Sequence, residues 1–165
     1  MIAALYTWAA AQITEPVIWA DQDGPQPDGV YCTLKVTSTS REGMPDVFTP
    51  NAAGDALIRQ GQLITLSVNV YGDDATGIMQ SLRGSLERIT VQRDLRTSGV
   101  AYVRVLSGPQ DLPTVTGTTW QQRAQMDVQF RAAVDIIDDI GVIETVAYSG
   151  GNGTASDTGA IVGGA

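Results

Sequence analysis

Three aspartates near the end of the longest patterned stretch, Asp135, Asp138 and Asp139, form the densest group of possible ligands in the sequence. Carboxylates clustered in this way could hold a divalent cation, which would make a small carboxylate-metal enzyme. Solvated turn residues are the simpler reading of the same three. Asp21-Gln22-Asp23-Gly24 begins like a calcium loop, but the later ligands are missing from the required positions, so it reads as a polar turn. Histidine is absent, so no Ser-His-Asp or Cys-His arrangement and no histidine metal site can be built. The glycines around 72–77 and 151–153 lack both the lysine and the spacing of a phosphate-binding loop. Cys32 is the single cysteine, so it can form no disulfide within the chain. It stands in the apolar row Val30, Cys32, Leu34, Val36 with no histidine to activate it, and reads as a small core residue. The inventory predicts no catalytic residue, no metal and no cofactor.

The elements that carry these residues are long strands. From 120 to 136 the residues separate into two rows. Ala124, Met126, Val128, Phe130, Ala132, Val134 and Ile136 form one, and Arg123, Gln125, Asp127, Gln129, Arg131 and Asp135 the other. A period of two over this length predicts a half-buried strand with one face on a core and the other toward water or a partner. Residues 29–41 predict a second long strand whose apolar row ends at Val36, so the far end should project as an arm. The arm and loop span about 37–58. Pro45, Pro50 and Gly54 speak against regular structure at 43–58, while Met44, Val47 and Phe48 there are apolar side chains suited to a partner surface. Folding back onto their own core is the competing reading. A third strand is expected at 62–71 and a shorter one at 17–20.

Helical spacing appears twice. Leu5, Trp8, Ala9 and Ile13 predict a helix at 3–13 that ends before Pro16. Ala75, Met79, Leu82 and Leu86, with Ile78, make a stripe at the 3.6 period, and Asp73-Asp74 should cap that helix. Residues 91–96 suggest one more helical turn. Ala101, Val103 and Val105 mark a strand, 108–117 a proline-containing loop, and 142–148 a last strand closing the sheet. The fold class is therefore α+β: a mainly antiparallel sheet packed with one amphipathic helix and an N-terminal helix.

The chain has 165 residues, 43% of them hydrophobic, which fits one domain burying about 70% of its unfolded surface. That domain is expected over 1–149, followed by a glycine-rich C-terminal extension at 150–165. Such a composition should be disordered unless it lies against a neighbouring chain, with Ile161 and Val162 as its only anchors. The net charge of −8 speaks against wrapping nucleic acid, though not against a channel that DNA traverses without sticking. No apolar run approaches a membrane span, and the N-terminus lacks the basic start of a secretory signal, so no membrane partner is expected.

Three segments in order resemble the tail-terminator (neck) proteins of tailed bacteriophages. They are the N-terminal helix with Trp8; Val68-Asn69-Val70-Tyr71-Gly72 leading into the Asp-Ala helix; and Trp120-Gln121-Gln122-Arg123-Ala124-Gln125-Met126-Asp127-Val128. The closing Ile140-Gly141-Val142-Ile143-Glu144-Thr145-Val146 fits the same pattern. The resemblance implies a homohexameric ring that caps the tail tube, stops its growth and docks onto head-completion (connector) proteins, with genomic DNA passing through. It implies a place in the virion tail or neck after assembly in the host cytoplasm. On that reading the candidate intersubunit or docking contacts are Lys35, Arg41, Val47, Phe48, Trp120, Arg123, Arg131, Ile161 and Val162. The competing readings are a tube, head-completion or baseplate subunit, the carboxylate-metal enzyme, and an adhesin or lectin-like module, for which no aromatic platform is evident.

Overall fold

The structure is a computed structural model, described for residues 2–51, 53–116, 119–141, 145–151 and 156–162. The fold is α+β, with helices α1 (Ile2–Gln12), α2 (Ala75–Ser85) and α3 (Ile89–Thr97) and a mostly antiparallel mixed sheet. That sheet holds β1 (Val17–Trp19), β2 (Tyr31–Val47), β3 (Asp55–Tyr71), β4 (Val100–Asp111) and β7 (Arg123–Asp139), in the order β1-β2-β3-β7-β4. β5 (Thr114–Thr116) pairs with β6 (Thr119–Gln121), and β8 (Thr145–Gly151) with β9 (Ser156–Val162), each pair as a separate two-stranded sheet. Two compact units result: Met1–Met44 with Gly61–Val134, and Pro45–Gln60 with Asp135–Ala165. Their boundaries fall inside β2, β3 and β7.

The larger unit holds the core. Cys32 and Leu34 from β2, Ile64 to Val70 from β3 and Ala124 to Ala132 from β7 put alternate residues on one face. The helices cover that face. Leu5, Trp8 and Ala9 of α1 and Ala75, Met79 and Leu82 of α2 are buried against it, at the spacing their sequences show. The Trp8 ring lies 5.8 Å from Phe130, and its indole N–H donates to Ser85 Oγ at 3.1 Å, so the one polar atom of a buried tryptophan is satisfied. Gly72 makes the turn from β3 into α2 at φ +100, and a Cβ there would meet Val30 Cα at 3.0 Å.

Several expectations are corrected here. The segment 43–58 is not irregular: β2 continues to Val47 and β3 begins at Asp55. Pro45 is tolerated because β1 pairs with β2 only at Cys32–Leu34, which leaves no ladder partner on that side of β2 further along. Asn51 organises the turn, its side-chain oxygen accepting from the backbone N–H of Ala53 at 2.9 Å and Asp55 at 3.0 Å. The central strand starts at Arg123, not Trp120, which lies in β6 opposite Val115. Asp74 sits in the left-handed region at φ 56 and its side chain caps nothing. Residues 89–97 form a full helix rather than a single turn. β8 pairs with β9 and does not close the main sheet, so the C-terminal extension finds its backbone partner in its own chain, which removes the reason to seat it on a neighbour. The predicted strand at 142–144 lies outside the described residues.

Candidate functional site

The chemistry-bearing candidates resolve first. Cys32 is fully buried, and burial, followed by the charge of Glu15, pushes its thiol up to about 12. That is a core residue, not a nucleophile. Asp135 is held by Arg59, whose Nε and Nη2 each donate to one carboxylate oxygen at 2.7 Å. These hydrogen bonds hold the Asp135 carboxyl below the usual carboxylate range. A bidentate arginine occupies the oxygens that a cation would need, and among the described residues no three metal-ligating side chains come together.

Two surfaces remain. One is the sheet face of the larger unit that the helices do not cover. Arg123, a candidate intersubunit contact for which a local cap or salt bridge is the competing reading, has its guanidinium turned onto its own chain. It donates to Asn69 Oδ1 at 2.8 Å and 3.2 Å and to Gln125 Oε1 at 3.1 Å, and lies 5.5 Å over the Tyr71 ring. Gln125 donates onward to Ser67 Oγ at 3.4 Å, and Arg104 to Gln129 Oε1 at 3.1 Å. Tyr31 stacks on Tyr71 with ring centroids 4.8 Å apart, and burial raises its phenol. Ser67 and Asn69 are buried although polar. This network ties most of the face's polar groups to one another, while Asp127 Oδ1 in the same row is buried without a hydrogen-bond partner among the described residues. Arg131 pairs with Glu42, and Lys35 with Asp21 at 3.2 Å. Arg41 is exposed on β2, and Trp120 is 72% exposed on the β5–β6 hairpin.

The other surface is the smaller unit. None of its described residues belongs to the hydrophobic core cluster, and Ala56 is its only described buried apolar residue. Phe48 leans under Arg59, whose guanidinium carbon is 5.6 Å from the ring, and its N–H donates to Leu57 O. Leu57 and Ile58 are half-buried, but Val47 is 69% exposed and Ile137 73%, with Ile136 and Ile140 also out. Adjacent strand residues point to opposite faces, so Ile136 and Ile137 leave both sides of β7 apolar and open. Phe48 is thus brought together with Arg59, which sequence reading passed over, and Ile137, also passed over, is exposed on β7. The alternation placed Ile136 in the core row and gave Ile137 no role. Ile161 and Val162 lie in β9 opposite Val146 and Thr145. Among the described residues no helix is long and apolar enough to cross a membrane.

A family model described as phage neck terminator protein matches residues 1–154. A search of the curated proteins finds no match.

Proposed function

The chain belongs to the phage neck terminator family, and from that premise we propose that it is the subunit of a closed ring, a homohexamer, that ends growth of the tail tube. The resemblance read from Trp8, the Val68–Gly72 turn and the 120–128 stretch is borne out by that membership, which makes the chain a structural protein of the virion's tail and neck. The ring offers a tube-like face on one side only, so a tube that acquires it cannot add another layer. Its other side meets the head-completion proteins, and DNA passes through the hole.

The observation that carries this reading is the smaller unit's uncovered apolar surface, at Val47, Ile136, Ile137 and Ile140. Side chains of this size, exposed in a unit whose described residues take no share in the core, suit a subunit that another chain completes. Arg123 keeps its charge but is held against its own face by Asn69 and Gln125, and the chain's net charge of −8 suits a wall past which DNA slides.

The test is tail assembly without this chain. Tubes should then overgrow to variable length, and adding the purified protein should cap them with rings seen end-on in the electron microscope. Tubes that stop at their normal length in its absence would overturn the proposal.

A further inference from the structure

Where β1 runs beside β2, the larger unit holds a polar pocket of about 420 Å³. That is the size of a small-molecule site. Tyr31 and Thr33 line it. They alternate with the core residues Cys32 and Leu34, so both stand on the sheet face away from the helices. Ile18 is the partner of Thr33 in the parallel β1–β2 ladder and shares that face. The loop after β1 forms the wall, with Gln22, Asp23, Pro25 and Gln26.

Two hydroxyls of this pocket lack a partner. Tyr31 is 5% exposed and Thr33 8%, yet neither side-chain hydroxyl makes a hydrogen bond among the described residues. The Tyr31 ring is fixed by its stack on Tyr71, another lining residue, and burial raises its phenol, so it stays a neutral hydroxyl. Polar groups on buried side chains normally find partners. Two such groups, two residues apart on one strand and lining one pocket, mark a place for the polar atoms of a ligand.

The surroundings set the charge of that ligand. Asp23 is the only charged residue in the lining. Gly72 adjoins Gly29 and Val30, so Asp73 and Asp28 share a rim. Asp23, Asp28 and Asp73 are exposed, and among the described residues none of them is in an ion pair. The bases on the adjoining strands are held elsewhere, Lys35 by Asp21 and Arg123 by Asn69 and Gln125. A phosphate would meet carboxylates here and no base in the lining. A cation with several N–H groups would meet hydroxyl, amide and carboxylate oxygens instead, all of which accept. Ile18 and Pro25 suit the methylene stem of such a group.

We infer that this pocket binds an organic cation of the guanidinium or ammonium class, whose N–H groups donate to the hydroxyls of Tyr31 and Thr33 and to the Asp23 carboxylate. Two sources carry that chemistry: an arginine or lysine side chain offered by another protein, and a free amine. The pocket lies wholly within the larger unit and needs no ring.

The experiment follows amide chemical shifts of the full chain during titration with agmatine and with acetyl-Gly-Arg-Gly-amide. Both should give saturable shifts confined to 18–33 and the neighbourhood of Tyr71, weakening as salt is raised. The peptide in which citrulline replaces arginine, a neutral near-isostere, should bind at least tenfold more weakly, and inorganic phosphate should not bind at that place. Asp23→Asn and Tyr31→Phe should each weaken the arginine peptide about tenfold. Neither change should move the thermal midpoint of the free chain, since Asp23 is exposed and the Tyr31 hydroxyl has no partner to lose. Tighter binding of the peptide than of agmatine assigns the site to a protein side chain, and the reverse order assigns it to a free amine. Absence of saturable shifts there, equal binding of the citrulline peptide, or binding indifferent to both variants would overturn the inference. The ring reading is untouched by any of these results.

Discussion

Along β7 the two units can be compared within one strand. From Ala124 to Ala132 the apolar row is buried under Trp8, Met79 and Leu82; from Val134 to Ile136 the same alternation continues, but the burial stops. The larger unit closes on itself: three helices seal one sheet face, and the polar network through Arg123, Asn69 and Gln125 occupies the other. The smaller unit has strands of the same kind on which Val47, Ile136, Ile137 and Ile140 stay exposed among the described residues, and it carries most of the net charge. On the proposed ring reading, identical strand chemistry serves stability in one place and attachment in the other. What differs is whether the chain supplies the covering layer.

That contrast can be broken by mutation. Phe130→Ala, in the larger unit, should lower the stability of the lone chain by about 3–5 kcal/mol in urea titration, because it removes a fully buried ring packed between Trp8 and Tyr102. A loss below about 1 kcal/mol would show that the core is not the source of stability.

The second effect is read with pH. The Cys32 thiol ordinarily titrates at 9.0 and is pushed to about 12 in the fold. Above 9 the unfolded chain gives up a proton that the folded chain keeps, so the contribution is complete below 9 and is lost as pH rises toward 12. The slope is about 1.4 kcal/mol per pH unit. Cys32→Ala should remove that share of the alkaline slope in denaturation curves taken from pH 8 to 11. An unchanged slope would place the thiol in water.

Smaller and more local is Gly54→Ala. Gly54 adopts φ +90, and a Cβ would come within 2.6 Å of the Gly141 carbonyl carbon. The substitution should cost about 1–2 kcal/mol, felt as faster amide exchange in 45–60 with the larger unit unaffected. Exchange that rises equally in both units would merge them into one cooperative body. The least effect on the lone chain is expected from Ile137→Ser, within about 0.5 kcal/mol, together with a clear loss of self-association. Should it destabilise the monomer as Phe130→Ala does, the residue is core and the comparison fails.

Periodicity made the larger unit legible. The rows at 30–36 and 124–132 and the stripe at Ala75, Met79 and Leu82 are buried where their spacing puts them, because a helix or strand face is a local property. Period alone says which residues share a face, not whether anything covers it, so Ile136 was placed in the core row and is exposed. Pro45 was taken as a breaker because a proline's tolerance depends on whether its strand has a neighbour on that side. For Arg123 a local partner and an intersubunit contact were both open; its pairing with Asn69, 54 residues away in sequence, is a long-range one with no local signature. The Arg59–Asp135 pair, 76 residues apart, was hidden for the same reason, and it is what closes the aspartate cluster to a metal. The pairing of the glycine-rich extension with β8 was masked by composition, since glycine and serine weaken a strand's signature without forbidding its backbone ladder.

The central claim is that the smaller unit is finished by another copy. Amide hydrogen exchange, followed on the lone chain and on the assembled ring, tests it most directly. The account predicts slow exchange in 64–70 and 124–132 in both states, and protection in 45–60 and 135–141 that rises only on assembly. Equal protection of those segments before and after assembly would contradict it.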